Sequence, residues 1–300
     1  MNWYWFKTYL RWGLVSLKWS LNNRWAARRT SIILLTHVGL GDQILISGLV
    51  NHFLQRDKSV TWFVRESNLE TIKCLTNYHP NLDFIVLGDS ETASDARRKA
   101  LELKAYTGKS ILLIGFELVW IAEKIFPSRG LDELFYRMAK VSFDKSLLNT
   151  SHLPQSIEPP VCDFVLIDHF PNTNREIPVS IFSALSQKGL QIVNNPRDTP
   201  ILALVMTIRN AKEIHVVNSA LLCLIISMRN EIQDVSVYLM GPHILTGKSE
   251  YPLNWQEFAL ADGSGNSVEY PTKLNREYEL ISMIRKEKRI IRRLAAKILF

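Results

Sequence analysis

Short unbroken apolar runs recur along this chain, separated by longer stretches whose apolar residues fall at helical spacing. In the first half the runs are Ile32–Leu35, Val60–Val64, Phe84–Leu87 and Ile111–Ile114. They are continuous rather than alternating, as expected of strands covered on both faces. Between them the spacing predicts helices from Asp42 to about Val50, over Leu69–Asn77 and over Glu91–Tyr106. Leu118–Phe126 predicts a further helix that Pro127 stops, and Leu131–Lys140 another. The alternation is β-α-β-α-β, which implies a parallel, doubly wound unit.

The same rhythm returns after a break. Asn149–Pro160 holds three prolines and little apolar periodicity, so it reads as a linker. Beyond it, strands are predicted at Phe164–Ile167, Gln191–Val193, Ile214–Val217 and Val235–Met240, with helices at Ile181–Gln187, Pro200–Arg209 and Ala220–Met228. The expected fold class is therefore α/β, with two Rossmann-like doubly wound domains facing each other across a cleft. The expected boundaries are 31–155 for the first domain and 156–270 for the second, flanked by terminal segments 1–30 and 271–300.

Composition sharpens this in two respects. Cys74, Cys162 and Cys223 lie far apart with no CxxC pair, so neither a disulfide framework nor a zinc site is suggested, and a reducing cytoplasm fits. The net charge of +7 is unevenly placed. Residues 1–30 carry six Lys or Arg and no acid, and residues 284–300 carry seven against Glu287 alone, so the two ends hold +12 and the rest of the chain is −5. A basic balance confined to the ends argues against a nucleic-acid groove across the fold.

Those ends have a character of their own. The first thirty residues include Trp3, Tyr4, Trp5, Phe6, Tyr9, Trp12, Trp19 and Trp25, and on a helical projection Lys7, Arg11, Lys18 and Arg29 form a stripe opposite Trp5, Tyr9 and Trp12. The interspersed charges make a poor membrane-spanning helix, and the segment lacks the compact apolar region and cleavage site of a signal peptide. An interfacial helix on an anionic membrane is one reading, and a helix packed on its own domain is the other. Arg276–Phe300 predicts one long helix, with Leu280, Met283, Ile284, Ile291, Leu294 and Ile298 on one face and Arg285, Arg289, Arg292, Arg293 and Lys297 on the other. One reading docks this helix on the body by its apolar face with a solvated basic side; the other joins it to the basic N-terminus as a positive surface toward anionic lipid, which gives a peripheral position on the inner face of the membrane.

The sharpest chemical signal is the glycine turn after the first strand, Gly39-Leu40-Gly41-Asp42. A strand, a tight turn and a helix N-terminus place backbone N–H groups where open α/β sheets bind ligands. The third glycine of a dinucleotide fingerprint would stand at position 44, which is Ile44, so a nicotinamide site is not indicated. Neither Gly108-Lys109-Ser110 nor Gly247-Lys248-Ser249 has the spacing of a phosphate loop: the required upstream glycine is Leu103 in one, and Gly241 is one residue out of place in the other. A Tyr-x-x-x-Lys pair exists at Tyr136 and Lys140, but beyond the fourth strand and as a single hit among nine tyrosines.

The turn and helix of Thr36–Val50 resemble the opening motif of the heptosyltransferase-like sugar transferases, glycosyltransferase family 9, which have the two-domain glycosyltransferase-B fold. Leu131–Lys145 is similar to a segment closing the first domain in related bacterial and phage sugar transferases. Ala211–Ser219 (Ala-Lys-Glu-Ile-His-Val-Val-Asn-Ser) resembles the strand and turn of the second domain that face the donor.

The resemblance implies transfer of a sugar from a nucleotide diphosphate to a glycan or lipid-linked acceptor, as in lipopolysaccharide or polysaccharide synthesis, inverting and independent of a metal. No cofactor is implied beyond the nucleotide sugar itself. Asp42 matches the acid that takes the acceptor proton; its alternative role is to cap the following helix. Gly39, Leu40, Gly41 and Gln43 form the acceptor-side loop. Ser219 matches a serine beside the donor phosphates, with Asn218 and Ala220 around it. The family's Asp-Ser-Gly stands here as Asn218-Ser219-Ala220, and Cys223 occupies the place of a His. Asp168, His169 and Arg175, after the first strand of the second domain, complete the donor-side candidates; an Arg fork suits a diphosphate. The alternative is a catalytically inactive, membrane-associated protein of the same fold that binds nucleotide sugars or glycans.

Overall fold

A computed structural model describes residues 21–37, 39–115, 131–142, 150, 153, 160, 162–168, 179–195, 199–217, 219–229, 231–232, 234–240 and 255–258. The expected helix Leu118–Phe126, most of the linker, most of the N-terminal segment and the C-terminal helix lie outside these residues, as do His169, Arg175 and Asn218.

The first sheet contains β1 (Ser31–Leu35), β2 (Ser59–Arg65), β3 (Leu82–Leu87) and β4 (Ser110–Leu113), all parallel, in the order β3-β2-β1-β4. Its helices are α1 (Leu40–Leu54), α2 (Leu69–Leu75, after a 3-10 turn at Glu66–Asn68), α3 (Ala93–Thr107) and α4 (Leu131–Met138). The second sheet contains β5 (Phe164–Ile167), β6 (Gln191–Asn194), β7 (Glu213–Val217), β8 (Ser236–Met240) and β9 (Trp255–Phe258), also parallel, in the order β6-β5-β7-β8-β9. Helices α5 (Val179–Gln187), α6 (Val205–Asn210) and α7 (Ala220–Ser227) accompany it. The protein is thus two Rossmann-like α/β units, as the apolar runs imply.

Each strand order reverses once, between β1 and β4 in the first sheet and between β5 and β7 in the second. These switch points are where neighbouring connections diverge to opposite faces and leave a crevice outside the carboxyl ends of the strands. The helices that leave them, α1 from β1 and α7 from β7, pack against each other. A continuous core runs through that contact: Ile44, Leu45 and Leu49 of α1 and Leu221, Leu222 and Leu224 of α7 are buried in the same apolar cluster as β1, β2 and β7. Polar contacts, one of them buried, reinforce the junction. Arg229, just beyond α7, donates to Asp132 of α4 at 2.8 Å with both side chains buried, and Arg209 of α6 pairs with Glu231, which in turn accepts from Thr150.

Edges and ends follow from local chemistry. Thr92 and Asp95 form a reciprocal capping box at the start of α3, and Gly108 closes that helix with φ +68°. Gly108-Lys109-Ser110 therefore ends a helix and opens a strand, with Lys109 Nζ donating to Thr61, unlike a phosphate loop. Edge strand β4 is covered by residues 21–26, which are helical. The Asn23 carboxamide accepts from the N–H of Leu113 (2.9 Å) and donates to its carbonyl (2.6 Å), satisfying groups that an open edge would expose.

Candidate functional site at the carboxyl edges of the sheets

Asp42 stands at the first switch point. Helix α1 begins at Leu40, two residues earlier than the apolar spacing predicts, and its cap position is Gly39 in an extended conformation with no side-chain cap hydrogen bond. Asp42 is therefore inside the first turn rather than at the cap. Its Oδ2 faces Nδ1 of His37 at 3.1 Å, and both side chains are partly open to solvent, 26% and 34% exposed respectively. Among the described residues no hydrogen bond engages Asp42 Oδ1. The Asp42 side chain thus has one oxygen held and one available.

His37 is itself positioned. It follows β1, and its ring lies over Gly115, two residues beyond β4: a Cβ on Gly115 would come within 3.2 Å of Nδ1, and the backbone there has φ +92°. A side chain at that position would meet both the strain of positive φ and the imidazole. The neighbouring Thr36 is buried and accepts from Trp62 Nε1 at 3.2 Å. Gln43, next to Asp42, is buried; it donates to the Phe63 carbonyl and accepts from Asn68, tying α1 to β2. Of the acceptor-side candidates, Gly39, Leu40 and Gly41 lie partly open at the turn, while Gln43 faces inward.

The second switch point holds the donor-side candidates that are described. Asp168 follows β5 and is fully buried. Its Oδ2 accepts from Ser219 Oγ at 2.6 Å and its Oδ1 from Asn195 Nδ2 at 2.9 Å, so one carboxylate joins the ends of β5, β6 and β7. Ser219 caps α7, its Oγ receiving the N–H of Leu222 at 3.5 Å. Asp168 thus holds Ser219 and the cap in place rather than presenting itself to a ligand.

The two switch points meet through helix N-termini. A Cβ added to Gly41 would lie 2.8 Å from Cys223 Sγ and 3.5 Å from the Ala220 Cα. The first turns of α1 and α7 are in van der Waals contact, and Gly41 is what lets them approach. Cys223 is buried in that contact, where burial, with the nearby charges of Asp42 and Asp132, pushes its thiol well above the ordinary range. It is a packing residue and stays protonated, not a nucleophile. His215, within β7, is also buried; it stacks on Tyr238 at 4.6 Å and lies 3.4 Å from Glu213. Burial lowers its pKa, with Glu213 partly opposing, which marks it as a neutral core histidine.

Of the sequence candidates, Asp42 and Ala220 lie beside the α1–α7 contact and Asp168 and Ser219 bond to each other, while His37, Gly115 and Asn195, which touch them or their neighbours, are not singled out by the sequence. The signal for His37 was present as a histidine between strand and glycine turn, but its pairing with Asp42 depends on how that turn folds. Gly115 and Asn195 are recognisable only by following β4 and β6 to their carboxyl ends. An open surface depression of about 540 Å³, lined by Cys162, Asp163, Ser186, Gly189, Leu190, Gln191 and Ile192, lies at the opposite, amino-terminal ends of β5 and β6. Among the described residues no group of three His, Cys, Asp or Glu side chains is placed to hold a metal ion.

No protein-family model matches the chain, and no curated protein matches it. Among solved structures it is similar to the iron-containing dodecameric glycosyltransferase TibC from enterotoxigenic E. coli H10407, with 13% identity and a TM-score of 0.49 over 75% of this chain and 61% of that one. It is also similar to a putative UDP-N-acetylglucosamine 2-epimerase from Listeria monocytogenes, with 11% identity and a TM-score of 0.42 over 74% of this chain and 81% of that one. A third is a glycotransferase of kitacinnamycin, at 10% identity and a TM-score of 0.36, covering 90% and 92% of the two chains. The chain spans under two thirds of the length of TibC. At these identities, family and activity are left to the residues themselves.

Proposed function

We propose that this chain transfers a glycosyl group from a nucleotide-diphosphate sugar to a hydroxyl of a glycan or lipid-linked acceptor, with inversion and with Asp42 as the general base. The observation that carries the reading is the pairing of the two switch points: a partly exposed, His37-bound carboxylate on α1, directly beside the capped N-terminus of α7. An inverting transfer needs those two features together. The acceptor oxygen attacks the anomeric carbon as its proton passes to the carboxylate, and the bond to the diphosphate breaks with the electron pair leaving on phosphate.

In this reading the α7 N-terminus, with Ser219 at its cap, receives the diphosphate through N–H groups and the helix dipole. Asp168 and Asn195 set the position of that cap. His37 acts through Asp42: its Nδ1–H holds Oδ2 and leaves Oδ1 toward the acceptor. His169, Arg175 and Asn218 remain donor-side candidates by resemblance alone.

A second reading, binding without transfer, is favoured by Cys223, which fills the α1–α7 contact where the resembling family has a His. Calorimetric titration with UDP-, ADP- and GDP-sugars and the free diphosphates separates the outcomes. Binding with release of nucleoside diphosphate supports transfer, and binding without release in the presence of lipid and glycan acceptors supports the second reading. No binding across the panel contradicts both.

A further inference from the structure

Residues 21–26 lie along the outer edge of β4 with a fixed orientation. Asn22 donates to the Ile111 carbonyl at 2.6 Å, Asn23 is buried against Leu113 and also donates to the Met138 carbonyl at 3.1 Å, and Ala26 is buried. The inward side being settled, the outward side is settled too. Leu21 is 50% and Trp25 65% exposed, one helical turn apart, and Arg24, Arg28 and Arg29 are exposed around them. Two large apolar groups held in water beside three guanidinium groups are unusual for a face with no partner.

Cations from elsewhere in the fold gather on the same segment. Lys58 Nζ donates to the carbonyls of Ala27 (2.5 Å) and Arg29 (2.9 Å). Burial, with the charge of Arg56, holds the Lys58 ammonium below its ordinary range, and burial with the charge of Arg24 pushes Lys140 down to about 8. Burial is the larger cause for both lysines and like charge the smaller, so what Lys58, Lys140 and the neighbouring arginines add to this face is positive charge that favours contact with anions. No acid occurs in residues 1–30, whereas the chain between its two basic ends carries −5, so this face is opposite in charge to the body that carries it.

We propose that this face docks on the headgroups of an anionic lipid bilayer, with Leu21 and Trp25 entering the interface and Arg24, Arg28 and Arg29 meeting lipid phosphates. Lipid fits better than a nucleic acid because the charge surrounds a protruding Leu–Trp pair, and indole and aliphatic groups beside arginines are the residue set of an interfacial anchor. Among the described residues no helix is long and apolar enough to cross a membrane. Docking there also reaches the candidate site. Asn23 holds Met138, Met138 Sδ accepts the N–H of Gly115 at 3.4 Å, and Gly115 supports the His37 ring beside Asp42. The proposal does not depend on the transferase reading.

The test is flotation of the full-length chain with phosphatidylcholine vesicles with and without phosphatidylglycerol. Binding should require phosphatidylglycerol and weaken with added salt. The triple variant Arg24→Gln/Arg28→Gln/Arg29→Gln should lose about fivefold in affinity per arginine, roughly a hundredfold in all. Trp25→Ala should lose several-fold while keeping the salt dependence. These positions are exposed, and an unchanged circular dichroism melt confirms that each variant folds. Wild-type binding no better to anionic than to neutral vesicles would overturn the proposal, as would triple-variant binding equal to wild type. So would tighter binding to duplex DNA than to anionic vesicles, indifferent to Trp25→Ala.

Discussion

Replacing Gly41 by Ala tests whether the two units are joined as described. The backbone at Gly41 is helical, so alanine meets no conformational strain and by propensity alone would gain up to about 1 kcal/mol. Its Cβ, however, would stand 2.8 Å from Cys223 Sγ, several tenths of an ångström inside any comfortable contact. Both residues sit on first turns that are fixed by buried neighbours, so neither helix can retreat cheaply. Overpacking of this kind costs about 1–3 kcal/mol, and the net loss for Gly41→Ala should be about 1–2 kcal/mol. Removing the sulfur reverses the sign. In Cys223→Ala the next atoms to meet the new methyl are the Ala220 Cα at 3.5 Å and the residue-223 Cβ at 3.6 Å, which are ordinary contacts. Cys223→Ala alone should cost about 1–2 kcal/mol as a small cavity, and adding Gly41→Ala to it should be neutral or stabilising. The assay is urea unfolding of all four proteins at unchanged m-value. A coupling of about 2 kcal/mol between the two sites is expected. Additive effects, or a Gly41→Ala protein as stable as wild type, would refute the contact between α1 and α7.

Other expectations follow from single contacts. Asn23→Ala leaves the N–H and carbonyl of Leu113 unpaired at a covered edge and should destabilise by about 2–3 kcal/mol in urea unfolding, whereas Asn22→Ala should cost less. Arg229→Met strands Asp132 in the core and should cost about 3–5 kcal/mol, while Arg229→Met/Asp132→Leu should recover most of the loss. His215 is held neutral by burial, so the unfolded chain binds its proton more readily. Stability should therefore fall as pH drops from about 6.5 towards the lower folded-state pKa, and His215→Phe should flatten that slope. In nucleoside diphosphate release, His37→Ala should lower kcat about tenfold or more with little change in donor KM. His37→Asn, whose amide reproduces the Nδ1 donor, should recover much of it; equal losses in both variants would show that holding Asp42 is not its role.

The fold was legible because both sheets are parallel and covered on their faces, so strands such as Ile32–Leu35 and Phe164–Ile167 appear as unbroken apolar runs. Trp255–Phe258 was not, because Trp-Gln-Glu-Phe at the end of the second sheet has no such run. Pro200–Arg209 reads as one helix but begins as a 3-10 turn, Ile201–Leu204, before becoming α-helical at Val205; local spacing does not distinguish the two. Asp42 and Ser219 could be found since each follows a strand at a helix start. What they touch could not. His37 and Asp42 meet across the glycine turn, Asp168 reaches Ser219 over 51 positions, and Gly41 meets Cys223 only once both units are assembled. Cys223 stands in sequence where the resembling family has a His, and its packing against Gly41 is visible only in the crossing of α1 and α7.

In the proposed transfer Asp42 removes a proton from an acceptor hydroxyl. The most direct measurement of that role is nucleoside diphosphate release by Asp42→Asn beside wild type, with a nucleotide sugar that both proteins bind and an acceptor the wild type uses. Equal donor affinity and turnover reduced by about 10²–10⁴-fold are expected. Full turnover by Asp42→Asn with the same donor and acceptor would contradict that role.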